Sequence, residues 1–324
     1  MKHYHQLTQE QRYQIWSLRG TGMSLRGIGE QIGVDHSTVS RELKRNSDEK
    51  GYQPKEAEQH SQHRKRSSHK ASKQSDGMTQ RVVEKLRIGW SPESISERMK
   101  CEALPEPDCL SHASIYRMIK RDKAQGGVLH LYLPSTGKTR CKGGKRSKKA
   151  GVHLIPDRVD IKERPAKVET RQRMGDWEGD TVHGQSAHWV TLVDRKSRFT
   201  LAKRVFSKTK QIVGDALIEL LTPVSAKTTL TLDNGGEFAD HVRVSKAAEI
   251  AIFFAKPYAS WQRGTNENTN GRIRRFWPKK FDMGTLSDEE IERKIEKLNN
   301  TPRKILGGMT PFEVFTGQRV ALIT

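Results

Sequence analysis

Apolar positions at helical spacing divide the first 46 residues into three predicted helices. Thr8 reads as the cap of the first, with Ile15, Trp16 and Leu18 as its buried side. The second runs from about Ser24 to Ile32, and Leu25, Ile28 and Ile32 fall on one face. Gly33-Val34 turns the chain, and Asp35 caps a third helix from His36 to about Arg45. Val39 and Leu43, four apart, face inward, so Ser37, Ser40, Arg41 and Lys44 project outward, with Thr38 and Arg45 beside them. Two short helices, a tight glycine turn and an exposed helix of small polar and basic residues are the pattern of a helix-turn-helix.

Residues 51–77 are polar, basic and without apolar periodicity, and read as a linker. A second helical unit spans 78–133: Val82, Val83 and Leu86 mark one helix, Ser91-Pro92-Glu93 starts another, and a third runs from Ser111 through Ile115, Tyr116 and Ile119. Its turn of about ten residues is longer than a helix-turn-helix normally allows, which leaves DNA contact, dimerisation and spacing all open. Residues 134–168 begin as a Gly- and Lys-rich arm suited to lying along phosphates.

From residue 169 onward the pattern changes. Trp177–Val182, His188–Asp194 and Arg198–Val205 read as strands, the last two joined in a hairpin by Arg195-Lys196-Ser197. Lys210–Leu221 is an amphipathic helix, and Thr228–Leu232 a strand ending at Asp233-Asn234-Gly235-Gly236. His241–Glu249 reads as helix, Ile250–Ala255 as strand, and a last helix runs from near Asn266 to Phe276. This order predicts a mixed five-stranded sheet flanked by helices, behind all-α N-terminal units (1–50, the 51–77 linker, 78–133, the 134–168 arm, then 169–324).

Charge sharpens the picture. The chain of 324 residues carries 59 Lys and Arg against 38 Asp and Glu, a net +21. Residues 1–150 hold 30 bases and 16 acids, and residues 151–324 hold 29 and 22. Such an excess calls for a polyanion, and nucleic acid fits it better than a membrane, since no apolar run approaches a spanning length. The three cysteines, Cys101, Cys109 and Cys141, form no CxxC and make a poor disulfide framework, as expected in a reducing compartment.

Three acids stand at strand ends or helix starts: Asp180, Asp233 and Glu267. Converging carboxylates suit a pair of hard divalent cations, which prefer oxygen ligands and can stabilise both the attacking and the leaving oxygens of a phosphodiester. Strand periodicity alone leaves a choice, because Asp176, Glu178 and Asp180 share one face. On the last helix, Asn270, Gly271 and Arg274 share the side of Glu267, and Arg263, Lys256 and Arg275 are further candidates for DNA contact. Ile273 and Phe276 face the core, Trp261 reads as a packing residue, and Glu237 as structural.

These motifs resemble the insertion sequence 30 family of bacterial transposases, in the DDE superfamily that shares the RNase H-like fold with retroviral integrases. The resemblance covers nearly the whole chain. It rests on Gly33–Glu42, Arg158–Pro165, Trp177-Glu178-Gly179-Asp180, Asp233–Phe238, Trp261–Asn268 and Leu298–Lys304, and on the 33 residues between Asp233 and Glu267. It implies Asp180, Asp233 and Glu267 as the metal-binding catalytic acids, choosing Asp180 because the family's acid directly follows Gly179. It also implies two Mg²⁺ per site (Mn²⁺ able to substitute), double-stranded DNA as partner (terminal inverted repeats and target), and a homodimer or larger synaptic assembly. A copy-out route through a circular or joined-end intermediate and a place in the bacterial cytoplasm, associated with the nucleoid, follow from the same resemblance. Two rival readings are a nuclease of the same fold without strand transfer and a non-catalytic DNA-binding regulator. Ser37, Thr38, Ser40, Arg41, Lys44, Arg45, Arg263, Asn270, Arg274 and Arg275 are the candidate DNA contacts.

Overall fold

A computed structural model describes residues 6–48, 51–67, 76–104, 109–134, 155–257, 259–279, 281–320 and 322. The chain forms two compact units, Met1–Ser72 and Lys73–Thr324. The division falls within the segment expected to be a linker. The arm's residues 135–154, Cys141 among them, lie outside the described residues.

In the first unit, α1 (Gln9–Gly20) opens with a capping box between Thr8 and Gln11. α2 (Leu25–Ile32) is capped by Ser24 and α3 (His36–Asn46) by Asp35. Gly33 turns between them at φ +73°, a conformation that costs other residues a Cβ clash. A Cβ on Gly29 would lie 2.8 Å from the Val34 carbonyl oxygen, so α2 meets the turn only because that position has no side chain. Ile15, Ile28, Val39 and Leu43 form the core. Trp16, expected inside, is 52% exposed. The buried side of α1 is Arg12 and Ile15, and Trp16 lies about 100° round from Ile15.

Beyond α3 a two-residue hairpin, β1 (Ser47–Asp48) with β2 (Gly51–Tyr52), leads into α4 (Pro54–Ser67). That helix corrects the linker reading. It carries almost no apolar stripe and is held by Ala57, which is fully buried, and by Arg12. Arg12 donates to Glu42 of α3 at 2.7 Å and to Glu58 of α4 at 2.5 Å, tying three helices through one buried guanidinium.

The second unit begins with α5 (Asp76–Arg87), α6 (Pro92–Cys101) and α7 (His112–Ala124), the last two capped by Ser91 and Ser111. Met78, Val82, Leu86, Trp90, Ile95, Met99, Ile115 and Ile119 pack together. Cys101 and Cys109 are free thiols.

The sheet follows: β3 (Asp176–His183), β4 (His188–Asp194), β5 (Thr200–Val205), α8 (Lys210–Leu221), β6 (Thr229–Leu232), α9 (His241–Ala248), β7 (Ala251–Phe254), α10 (Gly264–Phe276), α11 (Asp288–Asn299) and α12 (Pro311–Thr316). Strand order is β5-β4-β3-β6-β7. β3, β4 and β5 pair antiparallel, whereas β3–β6 and β6–β7 pair parallel. This is the RNase H-like arrangement that the sequence implied.

Alternation along β3 builds two cores. Trp177 joins Val190, Leu192, Leu217, Leu230 and Phe254 on the α8–α9 face. Val182 joins Trp189, Ile273, Trp277, Ile291, Ile295 and Leu298 on the α10–α11 face. The helical unit is riveted to this domain by Arg98 of α6, whose side chain is 1% exposed. It donates to both oxygens of Glu313 in α12 at 2.6 and 3.0 Å and to Glu102 at 2.6 Å. Among the described residues, no helix is long and apolar enough to cross a membrane.

Candidate active site and nucleic-acid interface

The three acids on one face of β3 have different fates. Asp176 is fully buried, gripped by Arg173 Nε and Nη2 at 2.8 Å each and by the Thr229 hydroxyl at 2.7 Å. Glu178 is also fully buried. It receives Arg195 Nη1 at 3.1 Å and the Asn266 backbone N–H, in the first turn of α10, at 2.9 Å. A carboxylate there satisfies an N-terminal donor of the helix and complements its dipole. Glu178 therefore fixes where α10 begins. Sequence reasoning missed this role, and nothing short of the long-range pairing with Arg195 and Asn266 reveals it.

Asp180 alone of the three opens towards solvent. Its Oδ2 receives Asn270 Nδ2 at 2.6 Å, and its Oδ1 receives the Thr181 backbone N–H at 2.9 Å. The parallel register pairs Glu178 with Thr231, so two residues further on Asp180 stands beside Asp233. Asp233 follows β6 and closes an Asx turn, its Oδ1 accepting the Gly235 N–H at 2.9 Å. Arg263 lies across both acids: Nη2 is 2.8 Å from Asp233 Oδ2, and Nη1 is 3.4 Å from Asp180 Oδ1 and donates to the Gly179 carbonyl at 2.9 Å. Burial pushes the Asp180 carboxyl above the ordinary aspartate range, Arg263 opposes that shift and Asp233 adds to it.

Glu267 does not join them. It sits exposed on α10 between Arg263 and Asn270, and among the described residues no three acidic, histidine or cysteine side chains stand close enough to hold a metal ion. The fit of a divalent cation is thus met by two of the three acids: the Arg263 guanidinium occupies the place between two oxygen-donor carboxylates where positive charge is needed.

The remaining candidates are placed as follows. Arg274 Nη2 donates to the His183 carbonyl at 2.5 Å, so this residue, like Asn270, reaches back to β3. Arg275 and Lys256 are exposed. Glu237 accepts from Thr181 Oγ1 at 2.8 Å and pairs with Lys208 at 2.6 Å. Trp261 is not a packing residue: it is 74% exposed, one turn before the α10 N-terminus, because the buried stripe of that helix starts only at Thr265 and Asn266. On α3, Ser40, Arg41, Lys44 and Arg45 are exposed and Ser37 and Thr38 half-buried. Thr38, Arg41 and Arg45 line a groove of ≈ 480 Å³ together with Arg64 and Lys65 of α4, two basic residues that the linker reading had left out.

A helix-turn-helix joined in one chain to a mixed five-stranded RNase H-like domain with paired aspartates fits a class of proteins that act on DNA. A helix-turn-helix domain family matches residues 3–46. The chain is 41% identical over 314 residues to the transposase for insertion sequence element IS4351 of Bacteroides fragilis, covering 95% of each. It is 33% identical over 318 residues to transposase InsI for insertion sequence element IS30A of Escherichia coli (strain K12), covering 95% of this chain and 82% of that one. A solved catalytic core domain of BIV integrase is 21% identical, covering 44% of this chain and 93% of that one, with a TM-score of 0.36. The chain belongs to the insertion sequence 30 family of transposases, and it is a DNA transposase.

Proposed function

We propose that this transposase binds the terminal inverted repeats of its own insertion sequence through α3, and cuts and rejoins DNA strands at Asp180, Asp233 and Glu267. The observation that supports this reading is the single guanidinium, Arg263, shared by Asp180 and Asp233. Asp180 and Asp233 would hold Mg²⁺, or Mn²⁺ in its place, and Glu267, which stands apart from them on α10, would complete the set only by turning towards them. A divalent pair bound there would supply positive charge to the attacking and leaving oxygens of a phosphodiester.

The protein's own part is positioning. The β3–β6 register sets the two aspartates side by side. Glu178 anchors the start of α10, Asn270 orients Asp180 Oδ2, and Arg263 offsets the repulsion between the two carboxylates. Cleavage at an element end frees a 3′-hydroxyl, which attacks a second phosphodiester; one P–O bond forms as another breaks, with no covalent protein–DNA intermediate. A copy-out route through a circular or joined-end form, a dimeric or larger synaptic assembly and a cytoplasmic place of action complete the proposal. A strand-transfer assay with pre-cut ends tests it. Joined products are expected. Hydrolysis without joining would leave a nuclease, and binding without either reaction a regulator.

A further inference from the structure

Among the described residues, the buried arginines come in two kinds. Arg12, Arg98, Arg164 and Arg195 each pair with a glutamate: Glu42 and Glu58, Glu313 and Glu102, Glu169, and Glu178 with Glu169. Arg303, just beyond α11, is equally buried at 5% exposure and, among the described residues, has no acid partner. Its Nη2 donates to the Leu298 carbonyl at 2.9 Å, while its Nη1 is buried without a hydrogen-bond partner. The charged groups acting on it are Arg272, Arg275 and Arg198, all positive, and with burial they hold its guanidinium well below the ordinary range. Burial and then Arg275 bring Arg272 down to about 10. Arg198 adds a buried Nε without a partner. The acids that act on Arg198 are already engaged: Glu178 by Arg195 and α10, Asp194 by Ser197, Lys196 and Gly175.

Burying one guanidinium beside three others is unfavourable unless an anion completes the group. We infer that Arg303, Arg272 and Arg275 form a second phosphate-binding site, built to take a backbone phosphate of DNA away from the carboxylates. Arginine suits this because its planar fork meets two phosphate oxygens at once. The position fits a strand that also visits the acids. Arg272 and Arg275 follow Glu267 by five and eight residues on one helix, about 7.5 and 12 Å along its axis, and are turned from it by about 140° and 80°. At roughly 3.4 Å per nucleotide along one strand, that is about two to four nucleotides from a phosphate at Glu267. The inference rests on this chain acting on DNA and not on the roles of the three acids.

The test uses the full-length protein and its R272Q, R275Q and R303Q variants, each also in a D233N background. End binding is measured against salt, and melting is measured with and without inorganic phosphate or duplex DNA. For R272Q and R275Q, the slope of log affinity against log salt should fall by about 0.9, the loss of one phosphate contact, with or without D233N. Without any anion, R272Q should melt no lower than the parent, because a repelling charge has left. R303Q also loses the Leu298 contact, so R272Q and R275Q decide the matter if R303Q fails to fold. Unchanged slopes in both R272Q and R275Q would overturn the site. So would stabilisation by inorganic phosphate that depends on Arg272 while the DNA slope stays the same, since that marks a small-anion pocket only.

Discussion

Arg263 reaches Asp233 at 2.8 Å and thereby stands in the gap between Asp233 and Asp180. Two carboxylates so close repel, and the guanidinium meets the need for positive charge that a metal ion would otherwise meet. Removing it with R263Q should therefore tighten binding of Mn²⁺ to the DNA-free protein, by about tenfold for each 1.4 kcal/mol of competition relieved. Calorimetric titration reads this directly. Weaker binding in R263Q would show that Arg263 supports the cation site and does not stand in for its occupant.

Acid should weaken the same titration. Burial and Asp233 raise the Asp180 carboxyl despite Arg263, so it takes up a proton at a higher pH than an ordinary aspartate. A protonated carboxylate is a poor ligand for a hard cation, so Mn²⁺ affinity should begin to fall above the ordinary aspartate range of about 3.9. In D180N that part of the pH dependence should vanish.

Glu178 offers a test of architecture independent of chemistry. E178Q leaves the buried Arg195 with the exposed Glu169 as its remaining charged partner and weakens the hold on the α10 N-terminus. Loss of one partner in a buried pair costs about 3–5 kcal/mol, so the Lys73–Thr324 unit should unfold at clearly lower denaturant, while the helix-turn-helix unit keeps its own transition. A variant as stable as the parent would remove Glu178 as the anchor of α10.

Here the limits of reading the sequence are plain. The five strands were legible because alternation is a local signal, and so was the Asp-Asn-Gly turn after Leu232, whereas alternation left Asp176, Glu178 and Asp180 open and only the family resemblance chose Asp180. Asp176, Glu178 and Asp180 share one face, and only distant residues (Arg173, Arg195, Asn270) decide which is capped, which anchors and which stays open. α4 was illegible because a buried alanine and one ion pair, Arg12–Glu58, hold it in place of an apolar stripe. The sequence pattern also could not show that Trp261 faces outward or that Glu267 stands apart from the two aspartates.

Acid should also loosen the Arg98–Glu313 rivet. Burial alone would raise Glu313, but its hydrogen bonds from Arg98 and from the Val320 and Thr310 N–H groups hold it at about 2. A depressed carboxylate contributes stability above its unfolded value of about 4.5, and that contribution is lost as pH falls from there towards 2. Denaturant melts of E313Q should be less stable than the parent at pH 7, by about 2–3 kcal/mol, with the gap closing across that window. A gap constant from pH 7 to pH 2 would contradict it.

The central claim is that Asp233 belongs to the chemistry and not to end recognition. Purified D233N should be assayed beside the parent for binding of an inverted-repeat duplex and for Mg²⁺-dependent cleavage of that duplex. The account predicts parental binding, since α3 lies in the other unit, and cleavage reduced by about a hundred- to a thousandfold, as for other lost transition-state charge stabilisers. Cleavage at the parental rate by D233N would contradict it.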